Sequence, residues 1–277
     1  MEIGAAEFQE LQEKIERVSG IFLTPSRRDR VLDCLEERIA ATFSSSLQDY
    51  LRGLDRLGGN VELEVLASML EPSETYFHRD PLQLNVFTQD VLRAWVEDRV
   101  ASGRHRVSAW SAGCSSGEEA YTLAILLMES IPDSKNWSTY VLGTDLNRGL
   151  VKSAREAIYS SRAVGELTPH LLDRYFMPEG DRFRVVPELR SLVHFDFGNL
   201  SESAPPTRMS FDFIFCRNVL LYFTEEARGR AIEQLASRLA DGGFLFLGYS
   251  EPSSWVVGHG LVPVRRGGMI VYQRESN

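Results

Sequence analysis

The sequence predicts an α/β protein in which a small all-helical domain precedes a doubly wound, mainly parallel sheet. From Val107 onward, short apolar runs alternate with helical stretches, as is typical of parallel strands joined by crossover helices. The runs are RVSAWSAG, STYVLGTD, SLVHFDF, FDFIFC and GGFLFLGYS. After them, LVPV and MIVYQ flank the turn at 265–268, which predicts an antiparallel last pair on an otherwise parallel sheet.

The helical domain is predicted from apolar residues that recur at three- and four-residue steps. Gly20 is placed to end the first helix, and Thr24 followed by Pro25 is a start signal for the second. The apolar stripes are Phe8, Leu11, Ile15 and Val18 in the first helix and Val31, Leu32, Leu35 and Ile39 in the second. We therefore place a helical domain at residues 1–72, a linker at 73–84 and the sheet domain at 85–277.

Residues 174–195 form too long a connection between the second and third predicted strands. The run RYFMPEGDRFRVVPELRSLVHF contains a turn signal, PEGD, between two extended stretches. We predict a small β insertion there.

Composition restricts the partners. The formal charge of -9 and the pI near 5.2 disfavour nucleic acid, whose binding depends on clustered Lys and Arg. The five histidines and three cysteines are scattered, without the spacing of a metal site, so we expect no metal. Because the apolar runs are too short to span a bilayer and the N-terminus does not resemble a signal peptide, we expect a cytoplasmic protein without direct membrane insertion.

The run Trp110–Tyr121, WSAGCSSGEEAY, follows the first predicted strand and precedes a helix. Gly113 and Gly117 lie where the backbone of such folds approaches a ligand closely. Their spacing is not GxGxxG, which disfavours a nicotinamide dehydrogenase. A pyrophosphate would prefer a helix N-terminus without acid, whereas Glu118 and Glu119 occupy this first turn. S-adenosylmethionine has no phosphate and carries positive charge on its sulfonium and amino groups, so an acidic turn suits it better.

Asp145 ends the second predicted strand, in GTD. An acidic residue at this point of a doubly wound sheet takes the ribose hydroxyls of the ligand. An Asp ahead of LNRGL would also cap the following helix. The sequence leaves both interpretations open.

Four runs, in order along nearly the whole chain, resemble a known family. SETYFHRDP, WSAGCSSGEEAY, GTDLN and FDFIFCRNVLLYF are similar to the signature runs of CheR-type chemotaxis receptor glutamate methyltransferases. The antiparallel last pair likewise resembles the methyltransferase variant of the Rossmann fold. The resemblance implies S-adenosylmethionine as cofactor, held in part by the linker. The cofactor-binding residues that it implies, with Gly113 added from the close approach, are Ser73, Thr75, Arg79, Glu118, Asp145, Asn199, Leu200, Arg217 and Asn218.

Two residues depart from the family pattern. Ser73 stands where the family usually has Asn, so this contact is expected to be weaker or water-mediated. Ala120 replaces a Pro, and since Ala is a good helix former we expect no effect.

Methyl transfer from a sulfonium is an in-line displacement, and a glutamate with an ordinary pKa of about 4.3 is already ionised at neutral pH. The reaction therefore requires alignment rather than a general base. We expect Arg79 to orient charged groups near the reacting carbon and Tyr222 to face the sulfonium through cation–π attraction. Structural alternatives stay open for Arg79 as a surface residue, Tyr222 as core and Asn218 as a turn cap.

Substrate binding is expected on the second helix, where Arg27, Arg30 and Arg38 project within an arc of about 80°. A basic stripe suits an acidic helical substrate, but an ordinary solvated face interleaved with acids is an alternative. The resemblance implies the cytoplasmic helical domain of chemoreceptor-type proteins as partner, and we expect a monomer. Some family members dock a receptor's C-terminal pentapeptide tether on the β insertion. Because PEGD is short, we expect action without the tether.

Two other functions remain open from the sequence. One is a non-catalytic module that senses S-adenosylmethionine, and the other is a methyltransferase that acts on a different substrate.

Overall fold

The N-terminal region of the computed structural model, which describes residues 3–70, 74–202, 209–256 and 258–275, is helical as predicted. Its helices are α1 Ala5–Ser19, α2 Arg28–Ala41, α3 Leu47–Gly53 and α4 Gly59–Leu70. Gly20 ends α1 with a φ of 72°. The second helix starts later than predicted, because Thr24 is followed by a 3-10 turn, Pro25–Arg27, and α2 begins only at Arg28.

The predicted linker is partly helical. α5 Pro81–Val86 begins within it and continues through a π-helical segment, Phe87–Leu92, into α6 Arg93–Ala101. Pro81 occupies the first turn of α5, where its missing N–H is not needed by the helix. Residues 74–80 are the non-helical part of the linker that the structure describes.

A seven-stranded sheet and a smaller three-stranded sheet follow. The strands are β1 Arg106–Ala112, β2 Ser138–Asp145, β3 Ile158–Ser160, β4 Phe176–Glu179, β5 Arg182–Val185, β6 Val193–Phe197, β7 Phe211–Cys216, β8 Leu239–Leu247, β9 Leu261–Arg266 and β10 Met269–Arg274. The helices between them are α7 Glu118–Ser130, α8 Arg148–Glu156, α9 Pro169–Tyr175, α10 Pro187–Arg190 and α11 Glu225–Arg238.

The large sheet has the strand order β6-β2-β1-β7-β8-β10-β9. The five strands from β6 to β8 are parallel, and β10 is antiparallel to both of its neighbours. The predicted doubly wound sheet with an antiparallel last strand is therefore confirmed. Its order and direction are those of a Rossmann-like methyltransferase.

The small sheet is the predicted β insertion. Its order is β3-β5-β4, and the β4–β5 hairpin turns at Gly180 and Asp181, within the PEGD run. Two features differ from the predicted range of 174–195. β3 lies upstream of that range, and the chain from Val193 onward belongs to β6 of the large sheet.

The two faces of the large sheet bury different side chains, because residues alternate in direction along a strand. On one face Trp110 and Ile214 share an apolar cluster with Leu11 of α1 and Leu66 of α4. On the other face the Phe87 ring lies edge-on to three further phenylalanine rings, with centroid distances of 5.1–5.4 Å. The N-terminal helices thus share a hydrophobic core with the sheet, so burial of apolar surface fixes their position relative to it.

Backbone hydrogen bonds join the same two parts of the chain in a seam between residues 18–24 and the loop after β7. Ile21 and Phe223 form an antiparallel bridge, and the Phe22 amide donates to the Tyr222 carbonyl at 2.7 Å. The Thr224 amide donates to the Gly20 carbonyl at 2.9 Å. The seam holds the connection between α1 and α2 against the carboxyl ends of the central strands.

Candidate active site

A pocket lies at the carboxyl ends of β1, β2 and β7, the position at which doubly wound sheets bind ligands. Segments 74–79, 113–115 and 217–219 line one part of it, and Ser19, Ile21 and Ser68 of the helical region line another. The predicted residues that line it are Thr75, Arg79, Gly113, Asp145, Asn199, Leu200, Arg217, Asn218 and Tyr222. Ser73 lies outside the residues that the structure describes.

The loop after β1 depends on two glycines with positive φ. Gly113 has a φ of 83°, and a Cβ there would lie 2.3 Å from Cγ2 of Val219. Gly117 has a φ of 97°, and a Cβ there would lie 2.9 Å from both Ala154 and Phe195. Only glycine allows this loop to turn into α7 while packing so closely against its neighbours.

Asp145 accepts two backbone hydrogen bonds at the pocket wall. Its carboxylate receives the amide of Ser115 at 2.8 Å and the amide of Asn147 at 2.8 Å. The helix N-cap is Asn147, whose side chain accepts from the amides of Gly149 and Leu150. The capping alternative for Asp145 is therefore wrong. Burial raises the pKa of Asp145 above its ordinary value of 3.8, and the two backbone hydrogen bonds offset part of that rise.

The acidic turn of α7 places its two carboxylates differently. Glu119 lines the pocket and accepts from the Ser111 hydroxyl at 2.7 Å. Glu118 is not among the lining residues, and its carboxylate accepts from the Ser116 hydroxyl at 2.8 Å. Burial raises the pKa of Glu118. The pocket is therefore lined by Glu119, whereas the family resemblance indicates Glu118.

Arg217 joins three segments of the site from a buried position. Its Nε donates to Glu119 at 2.6 Å, and its Nη1 donates to the Arg79 carbonyl at 3.0 Å. Nη1 also lies 3.3 Å from a carboxylate oxygen of Asp80 and from the amide oxygen of Gln83. A buried guanidinium with these partners fixes α7, the linker and α5 relative to one another.

The pocket wall contains polar atoms without partners. Asn218 adopts a left-handed conformation with a φ of 61°. Its Oδ1 and the hydroxyl oxygen of Ser115 are buried and have no hydrogen-bond partner within the part of the chain that the structure describes. Because leaving a buried acceptor without a hydrogen bond costs free energy, these atoms indicate that this wall of the pocket binds a ligand.

Asn199 holds the helical region with its side chain. Its Nδ2 donates to the Val18 carbonyl at 2.7 Å, and its Oδ1 accepts from both the amide and the hydroxyl of Ser201. Asn199 and Leu200 are both buried. Any contact of Asn199 with a ligand therefore falls mainly to its backbone.

Arg79 is half-buried at the pocket, and its Nη1 donates to the Glu74 carbonyl at 2.8 Å. This bond curls the side chain back over the linker beside Thr75. Arg79 lines the pocket, so it is more than a surface residue between two parts of the chain.

Tyr222 and Arg27 lie together at the seam between the helical region and the loop after β7. Tyr222 is half-buried and lines the pocket, so it is not purely a core residue. The guanidinium of Arg27 lies over its ring, 4.7 Å from the centroid. The Nη1 of Arg27 is buried and has no hydrogen-bond partner among the described residues. A cationic donor without a partner therefore lies next to the pocket wall.

The structure does not bring Arg27, Arg30 and Arg38 together as one free basic surface. Arg30 donates to the Met69 carbonyl at the end of α4 at 2.8 Å. Arg38 forms two hydrogen bonds of 2.8 Å with Glu62, and both side chains are only 19% exposed. The stripe prediction is wrong for Arg38 in physical terms, because its charge is already paired within the helical region.

Glu119, which the sequence places in the acidic turn, and the lining residues of the helical region were not predicted as site residues. For Glu119 a signal exists. Thr122 follows it at three residues, so both side chains lie on one face of α7, and Thr122 also lines the pocket. For Ser19 and Ser68 no local signal exists, since their place at the pocket depends on how the helical region packs on the sheet.

Within the described ranges, no group of three His, Cys, Asp or Glu side chains could hold a metal ion. No helix in those ranges has the length and apolar character needed to cross a membrane.

Comparison with known proteins agrees with this geometry. Residues 73–256 match the family model described as CheR methyltransferase, SAM binding domain. The chain is 34% identical over 242 residues to Chemotaxis protein methyltransferase 2 of Vibrio cholerae serotype O1, covering 85% of this chain and 82% of that protein. It is 30% identical over 234 residues to Chemotaxis protein methyltransferase of Borreliella burgdorferi, covering 84% and 83%. It is 32% identical over 250 residues to Chemotaxis protein methyltransferase 2 of Pseudomonas aeruginosa, covering 88% and 86%. A family match over about two thirds of the chain, which includes most of the segments that line the pocket, makes this protein a member of the CheR methyltransferase family.

Proposed function

We propose that the protein transfers a methyl group from S-adenosylmethionine to glutamate side-chain carboxylates of chemoreceptor proteins, giving methyl esters. The observation that carries the proposal is the acidic pocket at the carboxyl ends of β1 and β2 in a chain of the CheR family. The relatives are named chemotaxis protein methyltransferases, which supports a chemoreceptor as substrate.

The residues at the pocket fit S-adenosylmethionine. Asp145 offers carboxylate oxygens for ribose hydroxyls, and Glu119, one of whose oxygens is paired with Arg217, offers its carboxylate to an amino group. The unpartnered oxygens of Asn218 and Ser115 supply further acceptors. A buried polar atom without a partner costs about 1–3 kcal/mol, which a hydrogen bond to the ligand recovers.

The cofactor contacts are distributed over the segments that meet at the pocket. Thr75 and Arg79 supply donors from the linker, to which we add Ser73 from the sequence. Gly113 leaves room for the ligand, and Arg217 holds Glu119 in place. Asn199 and Leu200 contribute backbone groups. We assign the cofactor contact made by α7 to Glu119, whereas Glu118 supports the loop through Ser116.

S-adenosylmethionine supplies a methyl group activated on a sulfonium. The attacking glutamate is ionised at neutral pH, so no side chain of this protein needs to remove its proton. The work of the protein is to hold the carboxylate in line at about 3 to 3.5 Å and to exclude water from it. Tyr222 presents an aromatic face to the site, and Arg79 orients charged groups beside it.

Arg27 is the basic residue best placed to receive the substrate. Its guanidinium lies over Tyr222, and its Nη1 lacks a partner among the described residues. An acidic side chain of the substrate would pair with it through a charge-assisted hydrogen bond. We propose that residues 1–72 recognise the substrate through this position and through Arg30, whose side chain is exposed, and that residues 73–84 and 85–277 bind the cofactor.

The partner region is proposed to be the cytoplasmic helical domain of the receptor, reached by a monomer in the cytoplasm. Action without a receptor tether is proposed because the β4–β5 hairpin has a two-residue turn, at Gly180 and Asp181. Gel filtration with light scattering tests the monomer. Methylation of receptor fragments with and without their C-terminal residues tests the tether, since equal rates support the proposal and dependence on those residues contradicts it.

The function is tested by incubating the protein with methyl-labelled S-adenosylmethionine and cytoplasmic receptor fragments. Label that joins the fragment and is released as methanol by mild alkali supports carboxyl esterification. If several fragments take up no label while the protein binds S-adenosylhomocysteine, the receptor assignment fails for those fragments, and a sensing role or a different substrate is favoured instead.

A further inference from the structure

Glu251 is a buried carboxylate that does not itself line the pocket. It lies in the loop after β8, and 5% of its surface is exposed. No salt-bridge cation pairs with it among the described residues, so its negative charge is balanced by backbone dipoles alone. A carboxylate buried in this way requires several strong donors.

Two of the donors are amides of the loop that follows β7, and a third is the amide of Gly248 in the loop that carries Glu251 itself. Oε1 of Glu251 accepts from the amides of Val219 at 3.1 Å and Leu220 at 2.9 Å, and Oε2 accepts from the amide of Gly248 at 2.5 Å. Successive amides that converge on one anion form a nest, and here the anion is a side chain of the same protein.

The conformation of this loop is unusual and depends on the nest. Asn218 has a φ of 61°, in the left-handed region that side chains rarely adopt, and Val219 follows with a φ of -112°. Without the carboxylate, the amides would be left without their acceptor in a buried position. The loop would then relax toward a conformation that satisfies them elsewhere.

The same loop carries part of the active site. Asn218 presents its unpartnered Oδ1 there, Val219 packs against Gly113, and Tyr222 follows one 3-10 turn later beside Arg27. A shift of the loop backbone therefore displaces the Asn218 acceptor and the Tyr222 ring together.

We infer that Glu251 is a positioning residue for methyl transfer, which acts by holding the backbone of residues 218–220 so that Asn218 and Tyr222 face the bound reactants. The inference rests on the proposed function, since it assigns Glu251 to the same reaction. Glu251 differs from a purely structural residue because its effect on activity depends on the position of the loop after β7.

The test is a double-mutant cycle on kcat/KM for methylation of a receptor fragment, with Glu251→Gln, Asn218→Ala and both together. Glu251→Gln keeps the shape of the side chain but turns its own N–H hydrogens toward backbone N–H donors. We expect it to lower kcat/KM by about tenfold or more, because the reacting groups are then misplaced. Because Glu251 acts partly through Asn218, Glu251→Gln should lower kcat/KM by a smaller factor in the Asn218→Ala background than in the wild type, with the remaining loss passing through Tyr222. Fully additive losses would overturn the inference.

Asp212 provides a matched control. It is a buried carboxylate at the opposite end of β7 that accepts from the amide and hydroxyl of Ser108, each at 2.8 Å, and that also pairs with Arg99 at 3.2 Å. Asp212→Asn should lower the melting temperature while keeping kcat/KM within about threefold, because it lies far from the loop. If Asp212→Asn lowers kcat/KM as much as Glu251→Gln, measured where both proteins are folded, positioning is refuted.

Two further arms keep the test decisive. If Glu251→Gln does not fold, Glu251→Asp keeps the charge but shortens the side chain, and it should fold with reduced kcat/KM; an unchanged kcat/KM would overturn the inference. If the wild type methylates no receptor fragment, the proposed function has failed, and the loop is then tested by calorimetry with S-adenosylhomocysteine. Glu251→Gln should weaken that binding about threefold or more, non-additively with Asn218→Ala, and unchanged binding would contradict the inference.

Discussion

The guanidinium of Arg27 lies 4.7 Å from the centroid of the Tyr222 ring, and this contact joins the helical region to the loop after β7. One partner belongs to the turn before α2, and the other lines the pocket. The seam beneath them, with the Phe22 amide donating to the Tyr222 carbonyl at 2.7 Å, keeps the two side chains together. Recognition of an acidic substrate and methyl transfer are therefore expected to share this contact.

Arg27→Ala should lower kcat/KM for a receptor fragment by about tenfold or more, because a charge-assisted hydrogen bond to the substrate is lost. The affinity for S-adenosylhomocysteine should change little, since Arg27 is not among the pocket-lining residues. Arg93→Ala is the control of equal charge change, because Arg93 is exposed and its ion pair within the described ranges is with Glu97 on the same helix. Equal losses in the two variants would show a nonspecific effect of charge.

Tyr222 is expected to act through its ring rather than its hydroxyl. Tyr222→Phe keeps an aromatic face and the contact with Arg27, so kcat should stay within about threefold of wild type. Tyr222→Ala removes that face and should lower kcat by about tenfold or more. Single-turnover kinetics at saturating S-adenosylmethionine separate this effect from binding. A large loss in Tyr222→Phe would instead assign a role to the hydroxyl.

Cofactor affinity is expected to depend on pH through Asp145, whose pKa is raised by burial above its ordinary value of 3.8. The ionised form binds ribose hydroxyls and positive charge better, so affinity for S-adenosylmethionine should rise as pH rises through the raised pKa. The same group destabilises the ligand-free protein in that direction, because the folded state holds its proton more tightly than the unfolded state.

The measurement is calorimetric titration across mildly acidic to neutral pH with wild type and Asp145→Asn. Burial also raises the pKa of Glu118 and Glu251, so the diagnostic quantity is the difference between the two proteins. Asp145→Asn should bind more weakly and with a smaller dependence on pH. Identical pH profiles would contradict the role of Asp145.

Arg38 should contribute to stability rather than to catalysis. Arg38→Ala breaks two hydrogen bonds to Glu62 in a mostly buried pair, and we expect it to lower the free energy of unfolding by about 1–3 kcal/mol. Urea unfolding measures this change, and Arg93→Ala again serves as control, with an effect close to zero for an exposed pair. A loss of receptor methylation without a loss of stability would restore Arg38 to the substrate site.

The features predicted correctly from the sequence are those that local patterns determine. The alternation of apolar runs and helices predicted that the strands run parallel, and the Gly267–Gly268 turn predicted the antiparallel last strand. Nine residues predicted for the site line the pocket, seven of them implied by the family resemblance. In each case the signal lies within a short stretch of chain.

The features that could not be predicted depend on contacts between distant segments. Arg38 was assigned to substrate because its partner, Glu62, lies 24 residues away on another helix. Glu118 and Glu119 are adjacent, so only the packing of α7 decides which carboxylate reaches Arg217, 98 residues further on. Glu251 belongs to no local motif, and its role depends on the amides of Val219 and Leu220, which converge on it from the loop after β7.

The central claim, methylation of receptor glutamates, is tested most directly by tandem mass spectrometry of a receptor fragment after incubation with the protein and S-adenosylmethionine. The account predicts a methyl ester on glutamate side chains, formed by wild type and lost or strongly reduced with Asp145→Asn. A methyl group found on another kind of side chain, or an unmodified fragment while S-adenosylhomocysteine accumulates, would contradict it.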